Sequence, residues 1–378
     1  MPVPTTGDVD PDPYEPVTEL ETPVLLADLD AMEANLERYA AFAEEQGVRL
    51  RSHVKTHKNP ELARLQESYQ GTPGVCCQTL GEAEVMAAGG IDDVYLSYQV
   101  VGERKLERAA WLAGKLDRLT TTVDDPVHVD SLSRVAGERS ATVDVVVEVD
   151  AGLGRTGVPH GEPTLELARR VVDAPNLTFA GLLVYEAHVK GEAASRAEYE
   201  ARCTAVMDEA AETVALLEDA GVPVPEVKVG GTATSLYSGR HDVVTEINPG
   251  MYPFMDVGEL EARPFDVDRS DCAATVLTTV ISTPSEGRAV VDAGSKSLSM
   301  DKSEHPVPKR RDDVSYANYS EEHGWLAVDE GADLAVGDRL EFVVPHVCTT
   351  VNLHDTIVGV RDGRVEAVWD VSARGKVR

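Results

Sequence analysis

The sequence is short of positive charge. It carries 66 acidic residues against 35 basic ones, only 10 of them lysine, and its formal net charge at pH 7 is −31. A surface of that sign repels nucleic acid and anionic lipid, so neither is expected as a partner. Cysteine is scarce: Cys76, Cys77, Cys203, Cys272 and Cys348 are an odd, scattered set. That excludes a disulfide framework and points to a reducing, cytoplasmic setting. No apolar run reaches the ~18 residues that a membrane-spanning helix needs. Met1 to Pro16 lacks both the basic and the apolar segment of a secretory signal. No G-x-G-x-x-G follows the first strand-like run, which leaves a dinucleotide fold without support. Scattered acid with little lysine also suits a halophilic protein, because concentrated salt screens the self-repulsion that opposes compaction. A merely acidic mesophilic protein has the same look, and neither reading bears on activity.

The rest of the composition is that of a globular chain. Hydrophobic residues make up 42% of 378, enough core for two domains or for a barrel with an appendage. Residues 1–23 read as an acidic tail whose end is a candidate to complete the C-terminal domain. From Val24 onward short apolar runs alternate with helical spacing. Strands are expected at Val24–Leu29, Val48–Val54, Val75–Gln78, Val94–Gln99, Leu119–Val123, Val143–Val149, Phe179–Tyr185, Glu226–Val229 and Val244–Ile247. Helical patterns lie between them, as at Ala31–Gln46 and Ser195–Ala220. This alternation predicts parallel βαβ units and, over 24–265, an α/β fold of the (β/α)8 TIM-barrel type. Residues 266–378 change texture to short strands with Gly and Asp turns, an all-β domain. Asp362-Gly363 between two such runs signals a hairpin.

The sharpest local feature is Arg51-Ser52-His53-Val54-Lys55-Thr56-His57-Lys58. It ends an apolar strand, and in a barrel the C-terminal strand ends carry the active site. A lysine held there among cationic side chains has its ammonium form disfavoured and becomes an amine nucleophile. On spacing alone, a solvated lysine in a basic turn is the commoner outcome. Gly230-Gly231-Thr232 follows a strand; glycine allows close backbone approach to an anion and Thr232 adds a hydroxyl. His346-Val347-Cys348 places imidazole and thiol at i and i+2, on one face of a strand, where both can bind one ion. A buried His and Cys pair without metal fits the same spacing.

Taken in order, several segments resemble the D-threonine aldolase and D-serine dehydratase group of pyridoxal-phosphate enzymes, which share an alanine-racemase-like barrel. They are Arg51–Lys58, Cys76-Cys77-Gln78 with Gly81-Glu82-Ala83-Glu84, Asp150–Val158, Gly230–Ser235, Asn248–Asp256, Asp292–Asp301, Ser320–Gly324 and Pro345–Asp355. The resemblance runs from Thr22-Pro23 nearly to the C-terminus. It implies that Lys55 is the Schiff-base lysine and later a proton shuttle at Cα. Arg155 would face the phenolic oxygen of the cofactor. Tyr185 would sit near its pyridine nitrogen, and Gly231, Thr232, Gly250, Met251 and Tyr252 would close around its phosphate. Gln78 packs beside the cofactor or caps a helix.

The family also implies a divalent ion at His346 and Cys348, completed by water and substrate, to hold a β-hydroxyl. Aldolase-type members tend to a carboxylate as second ligand, favouring Mg²⁺ or Mn²⁺, and dehydratase-type members to cysteine, favouring Zn²⁺. Cys348 leans one way; Cys76-Cys77-Gln78 and Asn352–Arg364 lean the other. The loop Tyr185-Glu186-Ala187-His188 matches neither group cleanly, and His188 is a candidate for the β-hydroxyl proton. The resulting expectation is a lyase for a small D-3-hydroxy amino acid, with the aldolase ranked above D-serine dehydratase. A racemase and a non-catalytic pyridoxal-phosphate carrier rank lower because neither needs the metal pair. A homodimer is implied by the family alone.

Overall fold

The computed structural model describes residues 14–71, 73–190, 195–263 and 265–378; the acidic tail expected over residues 1–23 lies, through residue 13, outside them. The chain forms two compact units. One comprises the described residues up to Leu36 with Met251–Arg374, the other Glu37–Gly250 with Gly375–Arg378. No helix among the described residues is long and apolar enough to cross a membrane.

The chain opens with β1 (Val24–Asp28) and α1 (Leu29–Gln46). The second unit then alternates β2 (Arg49–Leu50), α2 (Pro60–Gln70), β3 (Val75–Cys77), α3 (Leu80–Ala88), β4 (Asp93–Gln99), α4 (Glu103–Ala113), β5 (Arg118–Val123) and α5 (Pro126–Glu138). It continues with β6 (Val143–Val149), α6 (Glu162–Asp173), β7 (Leu177–Val184), α7 (Arg196–Asp219), β8 (Glu226–Gly230), α8 (Ser235–Ser238) and β9 (Glu246–Asn248). Helix starts are written locally. Asn59 and Asp125 cap α2 and α5 ahead of a proline, and the Thr79 hydroxyl accepts the Glu82 amide to start α3. The strands pair in parallel in the order β2-β9-β8-β7-β6-β5-β4-β3. A parallel bridge between His53 and Cys76 joins the two ends, with Val54 donating to the Cys76 carbonyl and Cys76 to that of Ser52, both at 2.8 Å. The eight strands thus close on themselves, as the alternation predicted. Valine-rich β6 is buried at nearly every position, as a strand covered on both faces requires.

The strand starts are joined by ions. Arg51 grips Asp93 with both terminal nitrogens (2.8 and 3.1 Å) and donates from Nε to Glu246 at 3.1 Å. Lys228 lies 2.8 Å from Glu246 and 2.6 Å from Glu226, and Arg118 joins Glu226 (2.9 Å) to Asp144 (2.7 Å). Arg51, Glu246 and Lys228 are wholly buried. Unpaired, such charges would carry a desolvation cost of several kcal/mol each; alternating signs offset it.

The first unit is completed by α9 (Val257–Ala262), β10 (Ala274–Ser285), β11 (Arg288–Val291), β12 (Val307–Pro308), β13 (Val314–Tyr319), β14 (Gly324–Val328), β15 (Arg339–Val343), α10 (Val347–Val351), β16 (Thr356–Arg361) and β17 (Arg364–Asp370). Its sheet runs β13-β14-β11-β10-β1-β16-β17, with β15 on β10 and β12 on β15. Here one expectation fails. The run at Val24, read as the barrel's first strand, pairs antiparallel with β10 and parallel with β16 instead. Its buried Leu25-Leu26-Ala27 suits any two-sided strand, and a run of five residues does not name its partners. Upstream, Tyr14 and Val17 donate to Val365 and Gly363, so the segment before Val24 does extend this sheet. Asp362 and Gly363 both take positive φ (50° and 71°), the mirror-image turn expected between β16 and β17.

Candidate active site

Lys55 stands in the turn after β2, at the C-terminal end of the barrel strands, and is half-buried. The residues around it fix that turn. His57 bonds Gln66 at 2.9 Å and accepts the Asn59 amide at 3.1 Å, and burial pushes it down to about 4. His53 is likewise driven well below the imidazole range, by burial first and by the charge of Lys55 second. Lys58 pairs with Glu82 at 3.5 Å. Burial thus disfavours charge on both imidazoles and the second lysine is matched by an acid, so this turn supplies little of the cationic surround expected for Lys55. The Lys55 amine meets Gln78, whose Oε1 lies 3.4 Å from Nζ and 3.2 Å from His53 Nε2. Gln78 Nε2 donates to the Ser97 carbonyl at 3.0 Å, so the amide is aimed. Thr79, not Gln78, caps α3 with its side chain.

Beyond β6, three strands round from β3, Arg155 lies with its guanidinium carbon 4.8 Å from the centroid of the Tyr185 ring and Nη2 3.5 Å from Glu148. Glu148 is buried in β6 and also takes Gln99 Nε2 at 2.6 Å and the Thr156 hydroxyl at 2.8 Å. The opposite edge of Tyr185 covers the end of β8: a Cβ on Gly230 would fall 2.8 Å from its Cδ2, a contact side chains do not make. Gly231 turns there with φ +95°. Thr232 is buried, its carbonyl accepting the Tyr39 hydroxyl at 2.8 Å. The Ser235 hydroxyl is buried without a hydrogen-bond partner.

Gly250 follows β9 against the Lys55 turn; a Cβ there would meet the His53 carbonyl and the Thr56 hydroxyl at 3.2 Å. Met251 and Tyr252 belong to the other unit, where the Met251 carbonyl accepts the amides of Phe254 and Met255 and Tyr252 is wholly buried. His188 is exposed, its ring over Gly152 at the start of the Arg155 turn.

In the β-rich unit, His346 and Cys348 do come together, though not as a strand. Strand β15 stops at Val343; His346 is the N-cap of α10 and Cys348 lies in its first turn. Pro345, without an amide to donate, ends the ladder between them. The Cys348 thiol is within hydrogen-bonding reach of His346. His346 Nδ1 lies 2.8 Å from Asp301 Oδ2, leaving Nε2 for another partner. Burial opposes charging of His346, but Cys348 and Asp301 together raise it above the usual imidazole value. Burial works the other way on Asp301, and bonds from Ser299 and His346 overcome it, holding the acid at about 2.

These residues fit a pyridine phosphate. A half-buried amine meets the needs of an aldehyde, a guanidinium laid on an aromatic face those of a phenolate, and a strand end that only glycine permits, with a buried hydroxyl without a partner, those of a phosphate. The fit to a divalent ion is sparser. Among the described residues no group of three or more His, Cys, Asp or Glu is placed to hold one. An ion at His346 and Cys348 would have only those two of the described residues as protein ligands. Sequence reasoning missed His53, Glu148 and Asp301. Glu148 interrupts a valine run in β6, and Asp301 ends a segment singled out above, but neither signal names a partner.

Known proteins bear on this arrangement. Residues 27–257 match the family model of the alanine racemase N-terminal domain, and residues 273–360 that of the serine dehydratase domain. A 3-hydroxy-D-aspartate aldolase of Paracoccus denitrificans (strain Pd 1222) is 38% identical over 95% of this chain and 93% of its own. A D-threonine aldolase of an Arthrobacter species is 36% identical over 96% and 95%. A D-threo-3-hydroxyaspartate dehydratase of Delftia sp. (strain HT23) is more distant, 32% over 88% and 92%. The crystal structure of D-threonine aldolase from Filomicrobium marinum superposes with a TM-score of 0.91 at 39% identity, covering 97% of this chain and all (100%) of that one. Barrel, β-rich unit and relatives agree: the chain belongs to the alanine-racemase-like family of pyridoxal-phosphate lyases that contains the D-threonine aldolases and the D-serine dehydratases.

Proposed function

We propose that this chain cleaves D-3-hydroxy amino acids by retro-aldol reaction, releasing glycine and an aldehyde, with pyridoxal phosphate on Lys55 and a divalent ion at His346 and Cys348. The observation that carries the reading is the grouping of Lys55–Gln78 and Arg155–Tyr185–Gly230 at the ends of the barrel strands. Its place among aldolases rests on relatives at 36% and 38% identity.

Pyridoxal phosphate, when bound, supplies an electron sink for the bonds at the substrate's Cα. Lys55 Nζ is the amine that would hold its aldehyde and, with substrate bound, would hold the proton that Cα of glycine receives. Gln78 fixes the amine's position. Arg155, oriented by the Tyr185 face and Glu148, holds a phenolate oxygen, and the Gly230–Ser235 turn with Gly250 holds the phosphate. Tyr185 at the pyridine nitrogen, a phenol where a carboxylate would be a stronger partner, gives a weaker sink, which suits breakage of one bond without further loss of protons. His346 and Cys348 would hold a Zn²⁺, Mn²⁺ or Mg²⁺ ion that takes the β-hydroxyl oxygen, with Asp301 fixing the imidazole. His188 is the base offered for the β-hydroxyl proton.

Cys348 favours a second reading. A thiolate ligand suits Zn²⁺; in that case Lys55 would take the Cα proton as hydroxide leaves Cβ, and hydrolysis of the resulting enamine by water would give an oxo acid and ammonia. Product analysis decides. Glycine with acetaldehyde from D-threonine supports the aldolase; 2-oxobutanoate with ammonia from D-threonine, or pyruvate with ammonia from D-serine, supports the dehydratase. The reading also includes a homodimer, checked by light scattering, and a cytoplasm rich in salt, on the strength of the acidic, lysine-poor composition.

A further inference from the structure

Glu186 follows Tyr185 and is wholly buried. No step above uses it. Its carboxyl faces the turn between β8 and α8: the Gly230 amide donates to Oε2 at 3.4 Å and the Ser238 hydroxyl to Oε1 at 2.8 Å. The Thr234 hydroxyl is also within hydrogen-bonding reach, and it donates to the Gly230 carbonyl at 2.7 Å. One acid is thereby tied to both ends of the segment Gly230–Ser238, while the ring of the preceding residue covers Gly230. Its hydrogen-bond partners, the Gly230 amide and the Thr234 and Ser238 hydroxyls, are uncharged.

A carboxylate beneath a turn that receives an anion works against that anion, whereas a neutral acid does not. Burial pushes Glu186 up to about 7, with the hydroxyls and the amide pulling the other way. We propose that Glu186 is a positioning residue for the anion-binding turn, holding Gly230–Ser238 in its receptive shape and weakening anion binding when it ionises. The inference rests on the reading of that turn as the phosphate seat. By linkage, an anion in the turn favours the protonated acid, so its affinity falls as pH rises through neutrality.

The test is calorimetric titration of the full chain, free of cofactor, with pyridoxal phosphate and with sulfate, whose charge is constant between about pH 6 and about pH 8.5. The wild type is expected to bind both, with sulfate affinity falling about tenfold over that range. Glu186→Gln keeps the hydrogen-bonding shape, so it should bind as the wild type does at the acid end and lose the pH slope. Glu186→Ala should bind both more weakly at every pH. Equal slopes for the wild type and Glu186→Gln would overturn the proposal. If Glu186→Ala does not fold, by circular dichroism, the slope of Glu186→Gln alone decides. If neither ligand binds the wild type at any pH, the phosphate reading of the turn falls first and the inference with it.

Discussion

Arg155 and Tyr185 form a stacked pair, guanidinium carbon to ring centroid 4.8 Å. The arginine is half-exposed, so the contact has the modest strength of a solvated cation–π pair, about 0.5–1 kcal/mol. A double-mutant cycle of Arg155→Met and Tyr185→Leu, read as affinity for pyridoxal phosphate, should show coupling of that size. Strict additivity would mean that the two act separately.

Metal retention should depend on His346, Cys348 and Asp301 and not on Lys55. Cys348→Ala is expected to purify with little divalent metal and a normal cofactor content. Asp301→Asn should weaken metal affinity about 10–100-fold, because it disturbs the imidazole that it orients. Elemental analysis beside the visible spectrum measures both. Full metal content in Cys348→Ala would make that thiol structural.

The ions at the strand starts should dominate acid stability. Arg51→Met strands Asp93 and Glu246 without their main partner and should cost about 3–5 kcal/mol in urea unfolding. Burial alone would raise Glu246, yet the charges of Arg51 and Lys228 bring it down to about 2 from an ordinary 4.5. Its contribution is complete above pH 4.5 and is lost as pH falls towards 2. The unfolding midpoint of the wild type should therefore drop more steeply across that window than that of Glu246→Gln. Parallel curves would contradict the assignment.

A net charge of −31 predicts that the melting temperature climbs as potassium chloride is added, because screening relieves repulsion between exposed acids. A flat or falling melting temperature would identify an acidic protein of ordinary salt requirement.

Much of this was legible in the chain, and the limits are physical. Strand–helix alternation and the Asp362-Gly363 hairpin are local patterns, and both survive in the fold. Partnership is not local. Nothing in Val24–Asp28 says that it pairs with residues near 275 and 358. Arg51 likewise meets Asp93 and Glu246, 42 and 195 residues away. The pairing of His346 with Cys348 was readable, but the geometry was not: i and i+2 converge here at a helix start after Pro345, not on a strand face. Glu186 was visible only as part of a loop that matches neither group, with no role of its own, because an acid in a loop looks solvated until the turn it bonds is folded against it.

The account turns on Lys55, one of 10 lysines in the chain. Borohydride treatment of the enzyme loaded with pyridoxal phosphate, followed by peptide mass spectrometry, should find the cofactor's mass on the peptide carrying Lys55 and on no other. A label on a different lysine, or none at all, would contradict it.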